Sequence, residues 1–360
     1  MALPLAPPVA PMLARPVADL PAGDYLFEPK WDGFRCLVFR DGDDVVLQSR
    51  TGKSLDRYFP EVVREVRDRL PAGAVVDGEL VVAVGDRLDF DAMSERIHPA
   101  ESRVRALAER TPATFVAFDL LADANGLLVD EPFEARRAAL ERMVPASTGG
   151  VRLTPVTRDR GTARRWFELF EGAGLDGVIA KAATDRYQPG QRVMLKVKHQ
   201  RTADCVVGGL RWHKGTEPGT AVGSLLLGLY DEHAVLHHVG VCATFTAARR
   251  RALATELMPL AVEPSDHPWS SEAGEGRRVP GQISRWRSTE QPWQPLRPER
   301  VVEVGYDHLE GAHPARFRHT TSFLRWRPDR DPVTCGYDQL DEPVRFDLAS
   351  VLRGEVRGSP

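Results

Sequence analysis

The chain is poor in lysine and cysteine and has no long apolar run. Its four cysteines do not show the spacing of metal ligands, so we expect them to be reduced and internal, as in a cytoplasmic protein. No apolar run approaches the roughly 20 residues of a membrane span. Residues 1–16 are interrupted by prolines and lack the basic start of a signal peptide, so they read as an extended arm. These absences predict a soluble, cytoplasmic protein without a membrane segment.

The charge balance is close to neutral. The net charge of −3 over 360 residues does not indicate a general affinity for nucleic acid, so any phosphate-binding surface must be local. The best candidate is residues 313–330, which contain five Arg and one Asp. The length predicts about two domains.

The scarcity of lysine directs attention to the lysines that remain. Only six of the 48 Lys and Arg residues are lysines. Arginine cannot lose its proton and so cannot act as a nucleophile, whereas lysine can. Lys30 follows the apolar run 25–27 and precedes an Asp-Gly turn at Asp32-Gly33, which predicts a place at a strand end, against a bound ligand. An exposed lysine beside an ordinary β-turn would show the same Lys-x-Asp-Gly pattern, so this motif must be supported by other segments of the chain.

The first 200 residues predict a mixed α+β domain, from alternating apolar residues in strands and helical periodicity between them. A strand and a hairpin are expected over residues 24–50. The other predicted strands are 74–84, 114–121, 178–182 and 193–199, and the predicted helices are 61–70, 90–97, 101–109, 133–143 and 162–171.

The pattern changes after residue 201, where we place the domain boundary. Short strands are predicted at 205–212, 223–230, 234–242, 301–306 and 316–326, with one helix at 246–262 and loops over 263–299. Several short strands around one helix favour a small barrel such as an OB-fold. The predicted domains are therefore 1–201 and 202–330, and residues 331–360 read as a tail with little core of its own.

The segment around Lys30 resembles the first motif of the covalent nucleotidyltransferases, which include the ATP-dependent DNA ligases, the RNA ligases and the mRNA capping enzymes. Further segments match the ligase pattern in the same order. They are Ser49-Arg50-Thr51-Gly52, Asp77-Gly78-Glu79-Leu80, Phe115-Val116-Ala117-Phe118-Asp119, Asp176-Gly177-Val178-Ile179-Ala180-Lys181, Leu195-Lys196-Val197-Lys198 and Arg325-Trp326-Arg327-Pro328-Asp329-Arg330, with a ligase-like Pro11-Met12-Leu13-Ala14 upstream. The resemblance covers about residues 10–330 and implies an adenylation domain followed by an OB-fold domain.

The resemblance also implies roles for individual residues. Lys30 is the expected nucleophile, and ATP and Mg²⁺ or Mn²⁺ are the expected substrate and metal. Arg325, Arg327 and Arg330 are expected to orient pyrophosphate, and Glu79 and Asp176 to bind the metal, because Mg²⁺ prefers oxygen ligands. The expected nucleotide-binding residues are Glu28, Arg35, Arg50, Glu79, Phe118, Ile179, Lys196 and Lys198.

These residue types suit transfer of AMP to an amine. Free lysine titrates near 10.4, and nearby cations and a metal lower the pKa of such an amine. Positioned cations stabilise the charge that develops on the phosphate oxygens and the leaving group. Each residue also has an ordinary structural explanation: Phe118 as core, Arg35 and Arg50 as surface charges, and Glu79 as part of a turn. Their joint occurrence in ligase order favours the functional interpretation.

Two positions depart from the family pattern. The fourth motif usually begins with Glu, whereas this chain has Asp176, which is one methylene shorter. The sixth motif usually ends with Asp-Lys, whereas this chain has Arg330, which keeps the charge and suits bidentate binding of phosphate.

The sequence is therefore identified as a member of the ATP-dependent DNA ligases, similar to the compact stand-alone bacterial type called ligase C. The expected partner is nicked duplex DNA, with other repair proteins as further partners, and the expected state is a monomer in the bacterial cytoplasm, associated with the nucleoid. Two alternatives remain open: an RNA ligase or GTP-using capping enzyme, and a non-catalytic DNA-end adaptor with a degenerate ligase fold.

Overall fold

The computed structural model describes residues 3–144, 149–199, 201–270, 278–281, 292–311, 315–340 and 345–355. The chain divides into two compact units. Unit 1 comprises Met1–Lys198 and Pro343–Pro360, and unit 2 comprises His199–Glu342.

The strands of unit 1 form two sheets. In chain order they are β1 (Ala14–Pro16), β2 (Tyr25–Pro29), β3 (Phe34–Asp41), β4 (Asp44–Ser49), β5 (Val75–Val84), β6 (Arg87–Leu88), β7 (Ala113–Asp123), β8 (Gly126–Leu127), β9 (Val151–Leu153), β10 (Val178–Ala182) and β11 (Met194–Val197). The larger sheet has the order β4-β3-β5-β7-β8, with β6 beside β5 and β9 beside β7. The smaller sheet has the order β1-β11-β10-β2.

Helices cover these sheets. They are α1 (Pro60–Arg69), α2 (Phe90–Glu95), α3 (Glu101–Arg110), α4 (Phe133–Met143) and α5 (Arg160–Leu169). α1 begins with proline at its first position, where the missing N–H costs nothing, and it buries Val62 and Val66 one turn apart in the core of the larger sheet. α5 is capped by Asp159, whose carboxylate accepts from the main chain of Thr162.

Two motif glycines are required by close packing of the main chain. A Cβ at Gly33 would overlap the carbonyl oxygen of Leu80 on β5, and a Cβ at Gly177 would overlap the carbonyl oxygen of Val197 on β11. Gly177 also has a φ of +133°, which an L side chain rarely adopts. The two Asp-Gly pairs therefore bring neighbouring strands together beside Lys30.

Unit 2 is built on one curved antiparallel sheet. Its strands are β12 (Arg201–Trp212), β13 (Val222–Tyr230), β14 (Leu236–Cys242), β15 (Gln294–Tyr306), β16 (Leu309–Glu310), β17 (Arg316–Phe317) and β18 (Ser322–Trp326), and its helix α6 spans Ala247–Leu257. The sheet order is β14-β13-β12-β15-β18. A single bridge between Cys242, at the end of β14, and Thr321, beside β18, connects the two edge strands at one point, and the sheet packs against a continuous apolar core.

The α+β prediction is confirmed, with local corrections. The prediction of a loop over residues 263–299 is wrong for residues 294–299, which belong to β15. The strand predicted over 316–326 is two short strands, because β17 pairs with β16 in a separate two-stranded sheet, whereas β18 pairs with β15 in the main sheet. The predicted helix 246–262 ends as an α-helix at Leu257. Some residues of these predicted segments lie outside the described residues: 271–277 and 282–291 of the predicted loop, and 313–314 of the candidate phosphate surface.

Both chain ends add elements to unit 1. Ala14–Pro16, within the predicted extended arm, forms β1 and pairs in parallel with β11. A short helix, α7 (Leu348–Leu352), packs Leu348 and Val351 into the apolar cluster that contains Phe170. The four cysteines are buried and free, and no helix in the described ranges is long and apolar enough to cross a membrane.

Candidate active site

Lys30 lies directly after β2 and is fixed by its main chain. Its N–H donates to the carbonyl oxygen of Gly177 and its own carbonyl accepts from Asp176, both at 2.9 Å. The Lys30 side chain remains 20% exposed, and its amine forms an ion pair with the Asp176 carboxylate. The Asp176-Gly177 segment, directly before β10, therefore holds the main chain of Lys30, and the Lys30 side chain lines a pocket.

A group of lysines surrounds this carboxylate. Lys198 Nζ lies 3.0 Å from Asp176 Oδ2. The pKa of Lys196 is lowered, mainly by burial and then by the charges of Lys198 and Lys30. Three of the six lysines are thus close enough to influence one another, which makes this end of the pocket suitable for phosphate groups.

Most of the predicted nucleotide-binding residues line a single pocket of unit 1. Those that do are Glu28, Arg35, Arg50, Glu79, Phe118, Ile179 and Lys196. The predicted nucleophile Lys30 lines the same pocket, together with Pro11, Met12, Leu13, Ala14, Pro29, Trp31, Lys181, Arg192 and Met194. Lys198 and Asp176 are not among the lining residues, but Asp176 contacts Lys30 and Lys198 contacts Asp176. Their roles toward a nucleotide stay predictions.

Arg35 is held by a buried carboxylate. Its Nε and Nη2 both donate to Asp77 at 2.6 Å, and Asp77 is fully buried. The hydroxyl of Tyr187 donates to the same carboxylate at 2.7 Å. A bidentate pair of this kind fixes the plane of the guanidinium, so Arg35 is oriented before any ligand arrives.

Glu28 is buried and paired with cations. Its Oε2 lies 2.8 Å from Lys181 Nζ, and its Oε1 lies 3.6 Å from Arg137 Nη1. Burial raises the pKa of Glu28, and the charges of Lys181 and Arg137 oppose that rise. Lys181 also donates to the carbonyl oxygen of Phe118 at 3.1 Å, so it links two walls of the pocket.

Phe118 is nearly buried but contributes to the pocket lining. The guanidinium of Arg35 and the amine of Lys181 each lie 4.5 Å from its ring centroid. Cations at that distance are attracted to the ring and limit its movement. The ring therefore has a fixed orientation in the lining, as a stacking surface for a base requires.

The two predicted metal ligands, Glu79 and Asp176, are both carboxylates, the donor type that magnesium prefers, and their role toward a metal stays a prediction. Burial raises the pKa of Glu79 to about 7, opposed by the charges of Arg35 and Lys30. The described part of the chain contains no group of three or more His, Cys, Asp or Glu side chains that could hold a metal alone. Magnesium is commonly bound by one or two carboxylates plus substrate phosphates, so Glu79 and Asp176 meet that requirement.

The three predicted pyrophosphate-binding arginines lie in unit 2 and contact its acidic residues. Arg327 Nη1 lies 3.0 and 2.9 Å from the two carboxylate oxygens of Asp204, and Arg330 Nε lies 3.7 Å from Asp204. Arg325 pairs with Glu303 at 2.5 Å. Within unit 2 these guanidinium charges are therefore balanced by carboxylates.

Sequence reasoning missed four residues that shape the site. Asp77 and Lys181 stand inside quoted motifs, so their motif positions were a signal. Tyr187 and Arg137 belong to no motif and carry no periodic pattern that sets them apart. Only the three-dimensional structure shows that they contact Asp77 and Glu28.

Comparison with known proteins defines the class. Residues 11–198 match the family model for the ATP dependent DNA ligase domain, and residues 218–330 match the ATP dependent DNA ligase C terminal region. The chain belongs to the ATP-dependent DNA ligase family. The predicted adenylation domain followed by a second, strand-rich ligase domain is confirmed at this level.

Individual relatives agree with the family models. The chain is 53% identical to DNA ligase C of Mycobacterium tuberculosis over 98% of this chain and 99% of that protein. It is 32% identical to the multifunctional non-homologous end joining DNA repair protein LigD of Mycobacterium tuberculosis, over 90% of this chain and 39% of that protein. A solved structure from a study of Lig E DNA ligases has a TM-score of 0.53 at 19% identity, covering 88% of this chain and 99% of that one, which shows the shared fold.

Proposed function

We propose that this protein seals nicks in duplex DNA between a 5′-phosphate and a 3′-hydroxyl, using ATP and a lysyl-AMP intermediate on Lys30. The observation that carries the proposal is the placement of the Lys30 amine in a pocket whose lining includes Arg35 and Lys196. Family membership favours DNA ligation over the RNA ligase, capping and adaptor alternatives.

The first step forms a bond between Lys30 Nζ and the α-phosphorus of ATP and breaks the bond from that phosphorus to pyrophosphate. The amine loses a proton, and the Asp176 carboxylate in contact with Nζ is placed to receive it. Arg35, fixed by Asp77, and Lys196 face the phosphates, where charge accumulates in the transition state. Phe118 and Ile179 contribute apolar surface for adenine.

Magnesium, or manganese in its place, would be held by Glu79 and Asp176 together with the phosphates, and would neutralise phosphate charge. Glu79 is the alternative contact for the ribose. In the second and third steps AMP passes to the 5′-phosphate of the nick, and the 3′-hydroxyl then displaces AMP. The pyrophosphate role of Arg325, Arg327 and Arg330 applies to the first step alone.

The biological setting follows from the relatives. One close relative carries the name DNA ligase C and a more distant one is a DNA repair protein of end joining. We therefore place this enzyme in repair of nicks or breaks on bacterial chromosomal DNA, as a monomer in the cytoplasm that works with other repair proteins.

Substrate choice tests the proposal. The purified protein is first incubated with Mg²⁺ and either labelled ATP or labelled GTP. It is then given one of two nicked duplexes, with the nick in a DNA strand or in an RNA strand. We expect label transfer from ATP and sealing of the DNA nick. Preference for GTP, or sealing of the RNA nick alone, would instead support the capping-type or RNA ligase alternative.

A further inference from the structure

The N-terminal arm, residues 9–16, is firmly attached to unit 1. The main chain of Val9 exchanges two hydrogen bonds with the Gln48 side chain, at 2.8 and 2.7 Å. Leu13 N–H donates to Gln191 at 2.8 Å, and β1 continues the arm as an edge strand of the smaller sheet. Since Pro11, Met12, Leu13 and Ala14 line the pocket, the arm forms one of its walls.

Tyr187 connects this wall to the group that orients Arg35. Its side-chain hydroxyl accepts from the main-chain N–H of Met12 at 3.1 Å and donates to Asp77 Oδ2 at 2.7 Å. Tyr187 is only 4% exposed, so water cannot easily replace either bond. Burial and the neighbouring Asp77 charge raise the pKa of Tyr187, which keeps the hydroxyl protonated and able to donate.

The contacts form a closed ring. Arg35 Nη2 donates to the carbonyl oxygen of Met12 at 3.3 Å, in addition to its two bonds with Asp77. Hydrogen bonds therefore link Met12 to Tyr187, Tyr187 to Asp77, Asp77 to Arg35, and Arg35 back to Met12. Nε and Nη2 of Arg35 are used inside this ring, so Nη1 is the part of the guanidinium left to donate to a ligand.

We propose that Tyr187 is a positioning residue for nucleotide binding, which fixes the N-terminal arm as a pocket wall and, through Asp77 and Met12, sets the direction of Arg35. The inference rests on the proposed function, since the ligand is ATP. Its basis is that one buried hydroxyl bonds both to the arm and to the carboxylate that holds Arg35. Buried networks of this kind are effective only when every member is satisfied.

The test is Tyr187→Phe, which removes one oxygen and keeps the ring. Self-adenylation is measured over a range of ATP concentrations, and amide hydrogen exchange is measured over residues 9–16. We expect the KM for ATP to rise about tenfold with little change in kcat, the signature of lost binding to substrate and transition state alike. Exchange at Met12 and Leu13 should become faster, because the Met12 N–H loses its acceptor.

A matched control is Tyr25→Phe, since Tyr25 lies on β2 of the same unit and outside the pocket lining. It should leave both measurements unchanged. An unchanged KM in folded Tyr187→Phe, or a fall in kcat alone, would overturn the inference. Lack of a lysyl-AMP adduct in the unmodified protein would instead overturn the proposed function, so the two failures can be told apart.

Discussion

At the scale of single residues, the site combines a main chain that is fixed with side chains that can change partners. Lys30 is bonded through its main chain to Asp176 and Gly177, whereas its amine contacts a carboxylate that Lys198 also contacts. A ligand can therefore replace a side-chain contact without moving the strand. This arrangement suits an amine that must attack a substrate and later release it.

The contact between Asp176 and Lys30 leads to the first prediction. Asp176→Ala should reduce self-adenylation on the order of 10²-fold, because the carboxylate that holds the amine is lost. Asp176→Glu, the usual family residue, should be tolerated. The measurement is the rate of lysyl-AMP formation at saturating ATP and Mg²⁺. Full activity of the Ala variant would remove Asp176 from the site.

The half-buried Glu79 carboxyl gives a prediction about stability and pH. Its pKa is raised from 4.5 to about 7, so the folded state binds the proton more tightly than the unfolded state does. The ionised carboxylate therefore lowers the free energy of unfolding above about pH 7, and this loss of stability disappears as the pH falls toward 4.5. Glu79→Gln should raise the free energy of unfolding of the ligand-free protein by on the order of 2 kcal/mol at pH 8.

Urea denaturation at pH 8 and pH 5 measures this difference. Most of the gain should be lost at pH 5, where the wild-type carboxyl is protonated when folded. Glu109→Gln, at an exposed position of α3, is the control and should show no gain at either pH. An equal gain for Glu79→Gln at both pH values would show that the buried charge is not its cause.

At the scale of elements, the structure shows which features local sequence patterns can predict. β7 was predictable because it is a nearly continuous apolar run, and α1 because its apolar residues recur at the spacing of a helix. β1 and α7 are only three and five residues long, too short for a pattern to repeat. Their conformations depend on distant partners: β11 for β1, and the cluster containing Phe170 for α7.

The same limit applies to the site. Lys30, Glu79 and Lys198 could be selected from the sequence because they stand in an ordered series of motifs, and the structure places Lys30 and Glu79 in one pocket and Lys198 beside Asp176. Tyr187 was not, because its importance lies in two hydrogen bonds to residues 175 and 110 positions away. Such long-range pairing is a property of the fold and leaves no local pattern in the sequence.

The docking of α7 can be tested by placing a charge in its buried face. Val351 is 0% exposed within unit 1, so Val351→Asp should lower the free energy of unfolding of that unit by about 3 kcal/mol or more. The matched control is Val333→Asp, since Val333 is 65% exposed. Thermal unfolding should show a large loss for the first variant and almost none for the second; equal melting temperatures would contradict the docking.

At the scale of the whole molecule, the first step and the later steps require different groups. Pyrophosphate exists only as the leaving group of the first step, and the predicted pyrophosphate-binding arginines belong to unit 2. In that unit Arg327 and Arg330 are paired with Asp204. Hinge motion in multidomain enzymes is absorbed by a few residues at element ends. Our candidates are residues 199–203, of which Gln200 lies outside the described residues.

Arg327→Ala and Arg330→Ala should therefore slow self-adenylation far more than sealing of a nick that already carries AMP on its 5′ end. Both rates are measured with the same protein preparation. Equal losses in the two assays would make these arginines general contacts to the DNA backbone. In that case nick binding should also become less dependent on salt, by about one unit of counterion release per lost phosphate contact.

Formation of the lysyl-AMP intermediate is tested most directly by the intact mass of the protein after incubation with ATP and Mg²⁺. We expect the addition of one AMP, located on Lys30, and none in Lys30→Arg, which keeps the charge but cannot act as a nucleophile. An AMP adduct that persists in Lys30→Arg, or that maps to another lysine, would show that Lys30 is not the nucleophile.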